Sequence, residues 1–559
     1  MGLFSRLSGQ RQAPRGRVVS QLSCSRVAAR ASRRPGHSRS ISLPSKIFSA
    51  GLFVETGRRS SSRGISYSRV GERRYGLSSP SRDIWQHWLA LDKRSLGFFR
   101  ICLGLILVGD ILIRAVHYGA HYTQNGFLPL DQYLSQPDIT YRRWSLLYLN
   151  DTPLFVGLFF AFFLLSALSL TVGYRTRLAG WICWACVLSV FRRNPVVNNS
   201  GDVYLPLLLM WANFLPWGER FSLEQDRDDE SQGNLYSRFP GFCYLIQVGI
   251  LYWFSAVLRV GKEWQVDDSA LYYALNLDNY QTALAPYMLT VGAEPLAFLT
   301  WVTLFLEIFG PILLLLPSQW ARLVSVLLIV SFHFGIVANI DIYVFALVCM
   351  VGPLGLLPPL VWENRWGKRV CSSLTRFFSS FPGLAPKNAV PVGRGRLAKL
   401  YWLLPYLLLP LTIFNLWWTI DRPEERNVLT GTLKALSLDQ RWGMFSPKPP
   451  DSVGQCTMQA TTRSGRVINL VSQLPFLDQP EQFYPYPWNY RWRAFERGVV
   501  IRRGEGHAQM YLRYLAHRWN EAHPDDPIVR ARWLYNVRTI PKDYLLEERG
   551  KDTLGEYIP

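Results

Sequence analysis

The sequence predicts an all-α polytopic membrane bundle of about nine spans, with a small mixed α/β extracytoplasmic domain at its C-terminal end. Three observations lead there. Nine apolar runs follow one another between Gly97 and Ile420, most of them close to the roughly 20 residues that a helix needs to cross about 30 Å of hydrocarbon. The runs lack the alternation of barrel strands, and only helices or closed barrels satisfy their backbone groups in lipid. Beyond Ile420 the composition returns to the polar and apolar mixture of a folded domain outside the bilayer.

The organisation expected is a tail at 1–82, a membrane domain at 83–420 and the outer domain at 421–559. The tail is rich in Arg and Ser, holds only Glu55 and Glu72 as acids, and shows no periodicity, which predicts disorder. Its composition fits an organelle transit peptide and equally a cytoplasmic polybasic tail; no secretory signal core follows the first charges. Residues 84–96 place Trp85, Trp88 and Leu89 beside Lys93 and Arg94, the pattern of a helix lying in the membrane interface. Spans are expected at 97–117, 153–174, 178–191, 202–217, 240–258, 295–316, 321–339, 342–361 and 400–420, of which the third and fourth are short.

A net charge of +21 would point to nucleic acid in a soluble protein. Here much of it lies in the tail and loops, so the bilayer accounts for it and no nucleic-acid partner is expected. Arg175, Arg177 and the strongly basic stretch 364–399 fall on one side of the predicted bundle. Fewer cations fall on the other: Arg142, Arg143, Arg192, Arg193, Arg259 and Lys262. The bias predicts a cytoplasmic N-terminus and, after nine crossings, an outer C-terminal domain. The acidic run 226–230 reads as a solvated loop. Of the eight cysteines, Cys183 and Cys186 have redox spacing but lie inside an apolar run, where they read as small buried side chains. In the last region, 455–460 and 467–470 flank Arg463-Ser464-Gly465 as a β-hairpin. Residues 510–519 read as helix, and the alternation of Trp533, Tyr535 and Val537 reads as a strand.

Charge inside a bilayer is costly and needs a partner or a cavity. Asp110 and Arg114 are four apart, share a helix face, and pair there as a packing device. Arg100, nearly three turns away, meets headgroups or another span. Glu307, in LFLEIFGPILLLLP, has no cation nearby in sequence, so its partner is on another helix or on a ligand. His333, in VSFHFGIVAN, is a structural hydrogen-bonding group or a base. The stretch ILYWFSAVLRVGKEW runs an apolar helix into Arg259, Lys262, Glu263 and Trp264. It reads as an interfacial anchor with snorkelling cations, or as a base or anion site at the mouth of an intramembrane cavity.

Taken in order, FRICLGLILVGDIL with Arg100 and Asp110, HYTQNGFLPL, TVGYRTR, ILYWFSAVLRVGKEW, Glu307 and FHFGI resemble the horizontally transferred transmembrane (HTTM) family. That family includes the vitamin K-dependent γ-carboxylases and sporulation-delaying protein B. The resemblance spans 84–359 and continues more weakly through QRWGMFSPKPP and RSGRV. It implies a membrane-embedded site for vitamin K hydroquinone or another quinone, an external peptide or protein substrate, and no metal. It also implies a lysine at the end of the fifth span that, when neutral, deprotonates the hydroquinone. Arg259 stands in that lysine's place, and a guanidinium stays protonated. Lys262 reaches the same face only if the helix continues past Gly261. Asn199-Ser200 stand where the family has a histidine, whereas His333 matches a family histidine. The resemblance therefore implies Lys262 and His333 as catalytic candidates. It implies Arg259, Glu307, Arg100 and Asp110 as residues that hold substrate or cofactor. Two functions follow: an enzyme using a quinone on an external peptide, and a non-catalytic maturation or interaction protein in which Arg259 and Glu307 are structural or bind a peptide terminus.

Overall fold

The computed structural model describes residues 89–558 except 136–143, 226–232, 278–279, 382–395, 422–427, 471–489, 503–504 and 541–546. The tail 1–82, Trp85, Trp88, Arg142, Arg143 and the acidic run 226–230 lie outside the described residues.

All nine apolar runs are helical. They form α1 (Lys93–Val116), α2 (Pro153–Val172), α3 (Thr176–Arg193), α4 (Ser200–Asn213), α5 (Phe239–Leu258), α6 (Ala293–Leu314), α7 (Gln319–Asn339) and α8 (Tyr343–Val351), then, after α9 (Arg365–Ser379), α10 (Arg396–Asp421). Six, namely α1, α2, α5, α6, α7 and α10, are long and apolar enough to cross a bilayer. Among the others, α3 carries three arginines and α4 has 14 residues. The run 342–361 breaks after Val351 into a 3-10 turn, Gly352–Leu356, and a short helix, Pro359–Glu363. Pro353, Pro358 and Pro359 account for the break, since each lacks an amide donor. Leu154, Leu158, Phe162 and Leu165 form an exposed stripe along α2, and Phe298, Trp301, Phe305 and Phe309 another along α6. Apolar faces of that length suit lipid rather than water.

Two sequence expectations are corrected near the membrane surface. Of the interfacial helix expected over 84–96, residues 84–88 lie outside the described residues, and within 89–96 Leu91 and Asp92 instead form a short strand, β1, which pairs with β2 (Leu235–Tyr236). Asp92 then caps α1 by accepting from the Arg94 amide at 2.8 Å, so the helix starts only at Lys93. The interfacial pattern belongs to α9, a 15-residue helix in what reads from sequence as a basic loop.

Contacts between helix ends define two faces. On one, Arg100 donates to carbonyls beyond α4, Ser95 donates to the Leu357 carbonyl at 2.7 Å, and Arg322 of α7 donates to the Ala90 carbonyl at 2.7 Å. On the other, the domain face, Asn194 donates to the His121 carbonyl at 2.8 Å, and Tyr343 packs against Tyr490.

The C-terminal region is mixed α/β: α11 (Val428–Leu436), β3 (Ser452–Thr462), β4 (Val467–Asn469), α12 (Tyr490–Arg502), α13 (Glu505–Ala522), β5 (Ile528–Thr539) and β6 (Glu547–Tyr557). The sheet is antiparallel in the order β4-β3-β5-β6. The expected hairpin is present, with Gly465 at φ +82° in its turn, a conformation that glycine takes without steric cost. Trp492, Phe495, Tyr511 and Trp533 pack together between α12, α13 and the sheet.

This region is bonded into the bundle by buried charge. Arg114 of α1 binds Asp110 at 2.7 Å and the Tyr122 hydroxyl at 2.5 Å, and it also binds Asp202 of α4. Arg491 of α12 binds Asp202 Oδ2 at 2.5 Å and reaches Asp110. Two carboxylates and two guanidiniums thus neutralise one another out of water. Asn199 holds Asp202 in place through a capping box, in which the Asn199 amide donates to Asp202 Oδ2 at 2.8 Å. A second link pairs Arg493 with Asp341, between α7 and α8.

Arg491→Met should leave two carboxylates facing one arginine, and removing one partner of a buried ionic group costs about 3–5 kcal/mol. Thermal unfolding in detergent should show the loss, and an unchanged midpoint would mean that the cluster does not hold the domain. The fold also places Ser464 and Ser379 on opposite faces. With native cysteines replaced, Ser464→Cys and Ser379→Cys should react with an impermeant maleimide from opposite sides of the membrane. Labelling of both from one side would overturn this arrangement.

Candidate functional site

A cavity of about 800 Å³ lies between the domain-face half of the bundle and the C-terminal region. Its apolar walls include Leu251, Phe332, Ile336, Ile340 and Phe345, and its other side is formed by the segment after α11 together with α12 and the sheet. That segment enters the bundle through an amide cluster. Gln247 of α5 donates to Gln440 at 2.9 Å, Trp442 donates to Gln440 at 2.8 Å, and Trp211 donates to Gln247 at 3.1 Å. With Trp442 fixed against Tyr204, the following residues Gly443–Ser446 line the cavity.

Two polar pairs stand on the bundle side. Arg259 follows the last residue of α5, and its Nη1 donates to Glu307 Oε2 of α6 at 2.6 Å, while Ser255 donates to Oε1 at 3.3 Å. The Arg259 guanidinium also lies 4.1 Å from the Trp264 ring centre, a cation–π contact, and Trp264 donates to the Phe445 carbonyl at 2.9 Å. Beside this pair, the Tyr252 hydroxyl and His333 Nε2 are 3.0 Å apart. His333 Nδ1, Arg259 Nε and Ser446 Oγ are buried at this cavity without a partner among the described residues. Buried polar atoms are seldom left unmatched, so these are free positions for a ligand's acceptors and donors.

The sequence candidates divide cleanly. Arg259, Glu307 and His333 share the cavity. Lys262 does not line it. The helix stops at Leu258, the Gly261 amide bonds the Pro447 carbonyl at 2.9 Å, and Lys262 opens a separate one-turn helix with its side chain exposed. The lysine that does line the cavity is Lys448, bonded to Asp451 at 2.9 Å. That hydrogen bond and the Asp451 charge raise its pKa above the ordinary lysine value, so it stays protonated at neutral pH. Asp110 is consumed in the ionic cluster, as the pairing with Arg114 predicts. Arg100 is fully buried on the opposite face, donating to the Trp217 carbonyl at 3.0 Å and to the Arg220 and Phe221 carbonyls. Gly173, at φ +72°, leaves it room, since a Cβ there would come within 2.8 Å of its guanidinium. Neither Arg100 nor Asp110 lines the cavity. Where the resemblance implies a histidine, Asn198, Asn199 and Ser200 contribute to the wall.

Sequence reasoning missed Tyr252, Lys448, Tyr490 and Arg497. Tyr252 lies seven residues before Arg259, two helical turns away on one face, and that spacing was a usable signal. Arg497 on α12 lies 4.5 Å from the Tyr280 ring centre and reaches the cavity only through tertiary packing, which no local pattern announces. Cys183 and Cys186 are buried free thiols, as their apolar setting predicts.

Six membrane-length helices define an integral multi-pass membrane protein, and three of them, α5, α6 and α7, contribute to the wall of the cavity. Residues 88–361 match the family model of the HTTM domain, so the membrane region of the chain carries that domain. No curated protein and no solved structure matches it.

Glu307→Leu should impair folding, because it strands the buried Arg259 charge, and Glu307→Gln should do so less by keeping an acceptor. The double variant Arg259→Leu/Glu307→Leu should regain the folded yield, since apolar replacement of a whole buried pair is often neutral. Size-exclusion profiles in mild detergent would report this. Equal profiles for all three variants and the native chain would show that the pair has no structural role.

Proposed function

We propose that this protein binds a lipid-soluble, quinone-type ligand in the bundle half of the cavity and an acidic external segment in the domain half. The observation that carries this is the co-location of the Arg259–Glu307 and Tyr252–His333 pairs beside the apolar residues Leu251, Phe332, Ile336 and Phe345, with unpartnered polar positions next to them. A flat apolar ring with polar oxygens matches such a wall. Arg497, on the opposite side, brings to the cavity wall positive charge that suits a peptide carboxylate, while Lys448 is already matched by Asp451.

The residues fit binding of a quinone but not the chemistry of glutamate carboxylation. That reaction needs a neutral amine at the end of α5, and the position holds a guanidinium already bonded to Glu307. Lys262 is exposed elsewhere. This arrangement favours a maturation or interaction role over the family's carboxylase reaction. In this reading all nine apolar helices cross the bilayer, the N-terminus is cytoplasmic and the C-terminal domain is outside. The greater number of cations on the face bearing α9 supports that orientation.

A short-chain menaquinone analogue titrated into the purified protein should quench tryptophan fluorescence saturably. Affinity should fall by about tenfold or more in Arg259→Leu/Glu307→Leu, the scale of one lost hydrogen bond to a charged group. Lys262→Arg should leave it unchanged. Unsaturable quenching that ignores the double variant would refute the ligand site. Hydroquinone-dependent CO2 incorporation into a glutamate peptide, lost in Lys262→Arg, would instead make the protein a carboxylase.

A further inference from the structure

Helix α9 has the sequence RWGKRVCSSLTRFFS, with four cations and no acid. Its apolar residues fall on two adjoining strips. Gly367, Cys371, Leu374 and Phe378 face the bundle, and Phe378 joins a buried cluster with Trp362 and Phe221 against Phe98 and Ile101 of α1. Trp366, Val370 and Phe377, spaced i, i+4 and i+11, form the second strip and remain 72%, 46% and 57% exposed. Arg365, Lys368, Arg369 and Arg376 occupy the arc opposite the packed strip, and all are exposed.

The level of α9 identifies what covers the exposed strip. Phe98 and Ile101 lie within the first three turns of a membrane-length helix, and Trp362, which leads into α9, donates to Ser95 in the first turn at 2.7 Å. The helix is therefore packed at the end of the spans, where hydrocarbon meets headgroups. A helix wedged there needs three kinds of surface: one against protein, one against acyl chains, and one basic side towards the phosphates. The order of residues around α9 matches that need. Arg369 also lies 5.0 Å from the Trp366 ring centre, at the border between the last two surfaces.

We propose that α9 lies sunk in one leaflet and that Arg365, Lys368, Arg369 and Arg376 bind the headgroups of anionic phospholipids. The occupant of the Trp366–Val370–Phe377 strip is then lipid acyl chain, and not another protein.

The test uses the full chain in nanodiscs of mixed phosphatidylcholine and phosphatidylglycerol. Nitroxide labels introduced by Trp366→Cys, Val370→Cys and Phe377→Cys should collide with oxygen in preference to a water-soluble nickel chelate, and a label from Ser372→Cys should do the reverse. Phosphatidylglycerol retained through detergent extraction, read by native mass spectrometry, should fall by roughly fivefold for each cation replaced by Gln, as about 1 kcal/mol per surface cation predicts. Phosphatidylcholine retention should not change. Water-like accessibility at 366, 370 and 377, or unchanged phosphatidylglycerol retention in the four-cation Gln variant, overturns the proposal.

Discussion

The charge cluster of Asp110, Arg114, Asp202 and Arg491 is the constraint on which the rest depends. Each member sits where a lone charge would be heavily penalised, so each is tolerable only when the other three are in place. The consequence is positional. Asp110 and Arg114 set the rotation of α1, Asp202 sets the start of α4, and Arg491 commits α12 to the domain face of the bundle. The cavity wall contributed by α12 exists because of that commitment, since Tyr490, Ala494 and Arg497 follow one another along the helix that Arg491 anchors. A membrane bundle and a mixed α/β region become one compact unit through ionic contacts rather than apolar area alone.

The helices themselves were legible in the sequence because lipid imposes length and composition on them directly. The hairpin was legible because its turn needs a glycine, and the strand through Trp533 because one of its faces is buried. Within 89–96 the expected interfacial helix gives way to a strand and a helix cap for an instructive reason. The stretch 84–96 and α9 carry the same mixture of aromatics and cations, and composition does not say where Asp92 will cap a longer helix. Residues 364–399 were read by charge alone, which hides the periodicity of Trp366, Val370 and Phe377.

The site was half legible. Arg259, Glu307 and His333 stood out because ionisable residues in apolar runs are conspicuous, and the expectation that Glu307 meets a cation on another helix is met by Arg259. Lys262 was drawn in by its spacing from Arg259, which presupposes a continuous helix. The Gly261–Pro447 hydrogen bond breaks that presupposition, and it depends on a residue nearly two hundred positions away. The same is true of Lys448 and Arg497, which acquire a role only once the segment after α11 has folded back over the bundle.

That folding back gives the cavity its chemical character. Closing the apolar space with an ordinary soluble domain would leave the Arg259–Glu307 pair open to water, and exposed pairs contribute little. Here Trp264 stacks on the guanidinium while its indole nitrogen bonds the Phe445 carbonyl, so one ring both shields the pair and fastens the covering segment. A lysine at position 259 would need its pKa lowered by about 3.4 units to be half neutral at pH 7, or about 4.6 kcal/mol, whereas a guanidinium needs at least about 5.5 units, or 7.5 kcal/mol. Burial on the scale seen for lysines reaches the first and not the second. With arginine at this position, the cavity therefore holds a fixed cation beside its counter-charge, and Tyr252 and His333 stand next to it as a separate hydrogen-bonded pair.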